Sequence, residues 1–241
     1  MNFLPDSGSG YFRSEELEIL LSEVARYAGG SRYRMDSDME AVARSMLQRA
    51  KLLSRPAFGY SIREIIKTVP GKGILIENKV LIPVPADITH ELTHIVTVVC
   101  TIGPDLEKEV GALNAEGEYL NALYLDASGV ALLEDTAQKA HTQVCRPACK
   151  QGLYAGCRWE PGCEKLPMEA QKVLFGLVDG SAIGVELTQS GVMRPLKSLS
   201  FWSPLARVPL EPVDRNKCRA CGLKGCIYRT SSSGKRRYPN G

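Results

Sequence analysis

The chain has 241 residues, 44% of them hydrophobic, with 30 Lys and Arg against 27 Asp and Glu for a formal net charge of +3. That length fits one large domain or two small ones with a sizeable core, and the composition is that of a globular protein, not a fibrous or disordered one. No apolar run reaches the length of a membrane span, and the basic excess gathers in Gly234-Lys235-Arg236-Arg237, which reads as a solvated tail and not a nucleic-acid surface.

The first residues lack a charged segment followed by an apolar core, so no secretory signal is expected and the location is expected to be cytoplasmic. Residues 1–13 are expected to be disordered. A helix is predicted over 15–28, capped by Ser14 and ended by Gly29 and Gly30, with Leu17, Leu20, Leu21, Val24 and Ala28 at helical spacing. A second helix starts at the capping box Ser37-Asp38-Met39-Glu40 and stops before Pro56. Residues 61–68 read as a short third helix. Residues 73–83 read as a hairpin turning at Glu77-Asn78, and 95–102 as a buried strand rich in β-branched side chains. Pro70-Gly71-Lys72-Gly73 lacks the spacing of a phosphate loop. A helix carrying Leu106, Val110 and Leu113 follows Pro104, and a long one is predicted over 118–144.

Residues 145–162 form a loop rich in Gly, Cys and basic residues. Leu166-Pro167 opens a helix that Asp179-Gly180 closes. A short strand over 183–187, a polar loop ending at Lys197-Ser198 and a strand around 199–202 follow. Pro204, Pro209 and Pro212 then mark an extended arm. Helices and strands come in mixed runs, which predicts an α+β fold. The expected architecture is a twisted, mainly antiparallel sheet flanked by helices, with an extended cysteine-bearing C-terminal arm. It divides into a disordered start at 1–13, an α/β part at 14–89, a core at 90–205, and the arm with its basic tail at 206–241.

Three features carry chemistry. Arg158-Trp159-Glu160-Pro161-Gly162-Cys163 sets a fixed charge beside a tight turn, which suits a small anionic group; a surface ion pair is the plainer alternative. On the long helix, Glu134 falls in step with Leu120, Leu123, Ala127, Val130, Ala131 and Ala137, with His141 seven residues on. A carboxylate on an apolar stripe is costly unless it is paired, with Arg158 for instance, or binds something. The third feature is the set of eight cysteines: Cys145, Cys149, Cys157 and Cys163 in one group, Cys218, Cys221 and Cys226 in another, and Cys100 apart. Such clustering in a reducing compartment favours metal over disulfides. The run Cys218-x2-Cys221-x4-Cys226 offers three thiolates on a short loop, able to hold zinc or an iron–sulfur cluster if a fourth ligand arrives from elsewhere. Cys145 and Cys149 lack a cysteine at Gly152 and do not form a radical-enzyme cluster motif.

His90-Glu91-Leu92-Thr93-His94 matches the zinc-hydrolase signature by letter, with Glu116 or Glu118 as a possible third ligand. That motif needs a helix, whereas strand-forming residues follow it directly.

The stretch 156–200 resembles the activation domain of cobalamin-dependent methionine synthase. The resemblance rests on Arg158-x-x-Pro161-Gly162, on Ile183-Gly184-Val185-Glu186-Leu187-Thr188-Gln189-Ser190, and on Met193-Arg194-Pro195-Leu196-Lys197-Ser198, with Glu134 in step on the preceding helix. It extends over about residues 90–202. Where the family carries an aromatic residue after the glycine, this chain has Cys163. Stand-alone relatives with a three-cysteine tail are similar. The resemblance implies binding of S-adenosylmethionine and presentation of its methyl group to the cobalt of cobalamin carried by a partner, a corrinoid-dependent methyltransferase or corrinoid protein. Arg158 would take the methionyl carboxylate and Glu134 the ammonium and sulfonium. Pro161 and Gly162 would let the backbone approach, while Lys197 and Ser198 would face the corrinoid. An iron–sulfur cluster, of the 4Fe–4S type or replaced by zinc, would use Cys218, Cys221, Cys226 and Cys163, with Cys157 as the alternative fourth ligand. It would relay an electron from a low-potential donor. The rival expectations are the zinc hydrolase using His90, Glu91 and His94, and a zinc-stabilised binding module.

Overall fold

The computed structural model describes residues 6–69, 72–77, 80–84, 92–163, 166–210 and 225–229. Among the described residues, nine strands and five α-helices build an α+β fold. The strands are β1 (Ser7–Tyr11), β2 (Ala57–Val69), β3 (Gly73–Ile76), β4 (Leu81–Ile82), β5 (Leu92–Thr101), β6 (Tyr154–Ala155), β7 (Glu186–Leu187), β8 (Met193–Arg194) and β9 (Ser198–Ala206). The helices are α1 (Leu21–Gly29), α2 (Ser37–Leu53), α3 (Asp105–Ala115), α4 (Tyr119–Lys150) and α5 (Ala170–Phe175). One sheet runs β4-β3-β2-β5-β9-β6, with β1 also on β2, and every pairing in it is antiparallel. β7 and β8 form a separate hairpin. β2 pairs with β5 from Ala57↔Thr101 to Glu64↔His94, so residues on both sides of position 90 share one sheet.

Alternation along the strands sorts the core onto two faces. Phe58, Ile62, Val96, Val98, Cys100, Phe201 and Leu205 face α4, against Leu125, Leu132, Ala137, Ala140 and Val144. Ile95 and Trp202 face the other way, onto Ile74, Ile76 and Ile82 of the β3–β4 hairpin and Leu166, Ala170 and Leu174 around α5. On its outer side, α4 receives α1 and α2 through Val24, Ala43 and Leu47 against Tyr124, Ala127 and Ala131. α4 is thus covered on two sides, and over 32 residues it runs about 48 Å. Burial pushes the Cys145 thiol up to about 12 and the Cys100 thiol higher still, so both stay protonated as small core side chains. Among the described residues no helix is long and apolar enough to cross a membrane.

The structure corrects several expectations. Of residues 1–13, those from Ser7 to Tyr11 are not disordered but form a strand on β2, from Ser7↔Ser61 to Tyr11↔Ala57. The first helix is split: a 3-10 turn covers Ser14–Glu16, and α1 starts only at Leu21. Leu17, 1% exposed, is drawn into the core between them. Asp36, not Ser37, caps α2, accepting from the Met39 amide at 2.8 Å.

The predicted third helix over 61–68 is the middle of β2. The charges of Arg63, Glu64 and Lys67 suit a helix surface, but pairing on both sides decides, with Ser61 fully buried between β1 and β5. α4 continues past Val144 and through Pro147, because Val144, Cys145 and Ala148 still bury against the sheet. Residues 181–183 form a 3-10 turn, leaving only Glu186–Leu187 as strand. Pro204 lies within β9, not in an extended arm. Its carbonyl accepts from the Gly156 amide at 2.8 Å toward the sparsely paired β6 side, where no proline N–H is needed. Most of the C-terminal arm lies outside the described residues.

Candidate functional site

Arg158 is positioned by a short backbone ladder. Trp159 and Trp202 exchange both hydrogen bonds, at 2.8 and 3.0 Å, fixing residues 158–159 along the edge of β9. Trp159 then stacks toward Trp202 on one face, with centroids 6.3 Å apart. Arg158, its neighbour in an extended segment, projects to the α4 face, where its guanidinium lies 5.2 Å from the Phe201 ring centroid. Only 3% of the Arg158 side chain is exposed.

There it meets two carboxylates. Its Nη2 donates to Glu134 Oε1 in a short ion pair and stands 3.6 Å from Glu160 Oε1. The carboxylates are about one-third exposed, at 35% and 33%. Burial alone would lower the arginine pKa, but Glu134 and Glu160 together outweigh it and raise the value, so the cation is firmly held. The Nη1 group is buried and has no hydrogen-bond partner among the described residues. The buried cation, with one unsatisfied donor edge, and the two carboxylates that rim it, each about one-third exposed, together carry a net charge of −1. Such a cluster suits a ligand with one negative and two positive groups.

The turn beside it is set by Pro161 and Gly162. Cys163 N–H donates to Glu160 O at 3.1 Å, and Gly162 has φ +87, the arrangement of a turn with proline second and glycine third. Gly162 N–H donates to Leu166 O at 2.9 Å, locking the turn to the entry of α5. Behind Arg158, His141 lies edge-on to Phe201 with centroids 5.9 Å apart. Its Nε2 is 2.9 Å from Ser203 Oγ, which itself donates to Gly156 O at 2.9 Å. The serine proton is therefore used, and His141 carries its proton on Nε2.

Of the residues expected from the sequence, Glu134, Arg158, Pro161 and Gly162 come together. Lys197 and Ser198 do not join them. Lys197 Nζ pairs with Asp126 at 2.7 Å, and Ser198 Oγ donates to Thr101 Oγ1 at 2.9 Å. Asp126 precedes Glu134 by eight residues, about 12 Å along α4. Glu160 was not singled out from the sequence. Its only signal was its place between Arg158 and Pro161, where a carboxylate in an extended segment could point either way.

Cys163 is exposed on the turn before α5, whereas Cys226 belongs to a segment seated against the end of α1. Cys218 and Cys221 lie outside the described residues. Among the described residues no three His, Cys, Asp or Glu side chains converge as metal ligands. Cys145 and Cys149 are in α4, and Cys157 is half-buried just before Arg158. His90 and Glu91 also lie outside the described residues. His94 stands in β5, paired with Glu64 and Leu205, so residues 92–94 are not the helix that the zinc-hydrolase signature requires. Glu116 and Glu118 sit at the α3–α4 corner. Two clefts of about 460 and 470 Å³ share Thr93, His94 and Arg207, and neither is lined by the Arg158 cluster.

No protein-family model and no curated protein matches the sequence. The fold does match a solved structure, the MetH reactivation domain bound to AdoHcy, with a TM-score of 0.59 and 16% sequence identity over 82% of this chain and 78% of that one. The two share a fold.

Proposed function

We propose that the chain binds S-adenosylmethionine at Arg158, Glu134 and Glu160 and presents its methyl group to the cobalt of a corrinoid protein, so reactivating a corrinoid-dependent methyltransferase. One observation carries the reading: a buried Arg158–Glu134 ion pair with an unpartnered Nη1, in a fold shared with a domain solved with AdoHcy bound. Opening this pair leaves the buried Arg158 cation without its closest anion, which is unfavourable unless the ligand replaces it. A simple anion would free Glu134, and a simple cation would free Arg158. A zwitterionic amino-acid end satisfies both, its carboxylate on the guanidinium fork and its ammonium on Glu134. Glu160 then faces the remaining positive charge, the sulfonium, which simple amino acids lack.

When bound, S-adenosylmethionine would supply the methyl group and leave as S-adenosylhomocysteine, and the partner's cobalt, once reduced by one electron from a separate low-potential donor, would be the acceptor. This chain's residues bind and orient. Arg158 and the two carboxylates hold the amino-acid end, and the Pro161-Gly162 turn fixes the backbone beside it. Lys197 and Ser198, at the start of β9 and tied to α4 through the Lys197–Asp126 pair, are assigned to the side that meets the partner. Cys218, Cys221 and Cys226 with Cys163 would hold a cluster; of these, Cys218 and Cys221 lie outside the described residues. A cytoplasmic location fits a corrinoid partner of this kind.

Calorimetry with two ligands tests the reading. S-adenosylmethionine should bind one equivalent. 5′-Methylthioadenosine, which keeps the nucleoside but lacks the carboxylate, the ammonium and the sulfonium charge, should bind at least about 100-fold more weakly, the loss of the charge-assisted contacts. Equal affinity would place the recognition elsewhere.

A further inference from the structure

The segment 225–229 returns from the far end of the chain to the C-terminus of α1. Gly225 has φ +82, and Arg229 N–H donates to Cys226 O at 3.2 Å, closing a turn. Ser31 N–H donates to Ile227 O at 2.7 Å, and Arg26 Nη1 donates to Tyr228 O at 3.3 Å. Gly30, with φ +89, lets that carbonyl come close: a β-carbon there would stand 2.9 Å from Ile227 O. Tyr228 lies against Tyr27, ring centroids 6.3 Å apart, and the Arg26 guanidinium covers the Tyr27 ring at 4.1 Å. Arg26 is itself held by Glu23 at 2.6 Å.

The anchorage bears on α4. Tyr27 packs against the cluster that Val24, Ala43 and Leu47 form with Tyr124, Ala127 and Ala131 of α4, and Glu134 follows Ala131 by three residues on the same side of that helix. Burial raises the Tyr27 hydroxyl, and the Glu134 charge adds to the rise, as expected of neighbours. We infer that segment 225–229 is a strap forming one wall of the ligand site, with Tyr27 and Tyr228 as positioning residues whose rings cover the end of α1 next to the Glu134 turn of α4. The inference rests on the S-adenosylmethionine reading. It gives the tail a role independent of any metal its cysteines hold.

The test uses the full chain and two readouts. The Ser31 amide has Ile227 O as its acceptor, so in hydrogen exchange it should be protected in the wild type and lose protection in Gly30→Val. Exchange at the free-peptide rate in the wild type overturns the strap. In calorimetry Tyr228→Ala should weaken S-adenosylmethionine about five- to tenfold, and Tyr228→Phe should restore wild-type affinity. Affinity within twofold of wild type in Tyr228→Ala overturns the wall while leaving the binding reading intact. Wild-type protein that binds no S-adenosylmethionine overturns the binding reading and the wall together, and the Ser31 exchange still reports whether the strap is docked.

Discussion

Arg158→Ala is expected to abolish measurable S-adenosylmethionine binding in calorimetry, a loss of at least about 100-fold, by removing two charge-assisted hydrogen bonds to one carboxylate. The same change leaves Glu134 and Glu160 facing each other without their cation. Since both carboxylates are about one-third exposed, water offsets much of that repulsion, and the stability cost should be only about 1–3 kcal/mol. The protein should therefore stay folded while losing the ligand. Arg158→Lys keeps the charge but not the planar fork, and should recover part of the affinity, leaving it about tenfold weak. An alanine variant with unchanged affinity would show that the buried pair is a structural ion pair only.

Phe201→Ala should be the most destabilising single change near the site. Phe201 is fully buried, sits in the main core under α4, and supports both the Arg158 guanidinium and the His141 ring. Its truncation should cost about 3–5 kcal/mol, a fall of roughly 6–20 °C in Tm for a chain of this size. Phe201→Leu separates the two roles. Most of the volume remains, so thermal unfolding should shift by only a few degrees, while the guanidinium loses its aromatic support. A loss of affinity out of proportion to the loss of stability would identify the ring as part of the site. A Tm shift of 1–2 °C for Phe201→Ala would contradict the packing described for this face.

Much of this arrangement was legible in the residues. Helical spacing put Glu134 on an apolar stripe, where a carboxylate needs a reason, and the Arg158-x-x-Pro161-Gly162 spacing marked a charge beside a turn. The structure joins the two in one ion pair, which was itself the plainer alternative. Long helices with clear apolar faces, such as α2 and α4, and the buried strand β5 also emerge from local pattern. Features decided by distant pairing do not. Residues 61–68 carry charges at helical spacing, yet β1, β3 and β5 claim them as strand. Ser7–Tyr11 is polar and glycine-rich and becomes a strand only because β2 offers a partner. Glu160 reaches the site through the Trp159–Trp202 ladder and Tyr27 is placed by the packing of α1 on α4, neither of which has a local sequence signal. The same holds for the contact between Tyr228 and Tyr27, some two hundred residues apart.

What Arg158 does when ligand is present separates a binding role from a purely structural one. A crystal structure of the protein with S-adenosylhomocysteine should show the ligand carboxylate within about 3 Å of the Arg158 guanidinium, Nη1 included, and the ammonium on Glu134, with the direct Arg158–Glu134 pair opened. Ligand bound elsewhere, or an Arg158–Glu134 pair left closed beneath it, would contradict the account.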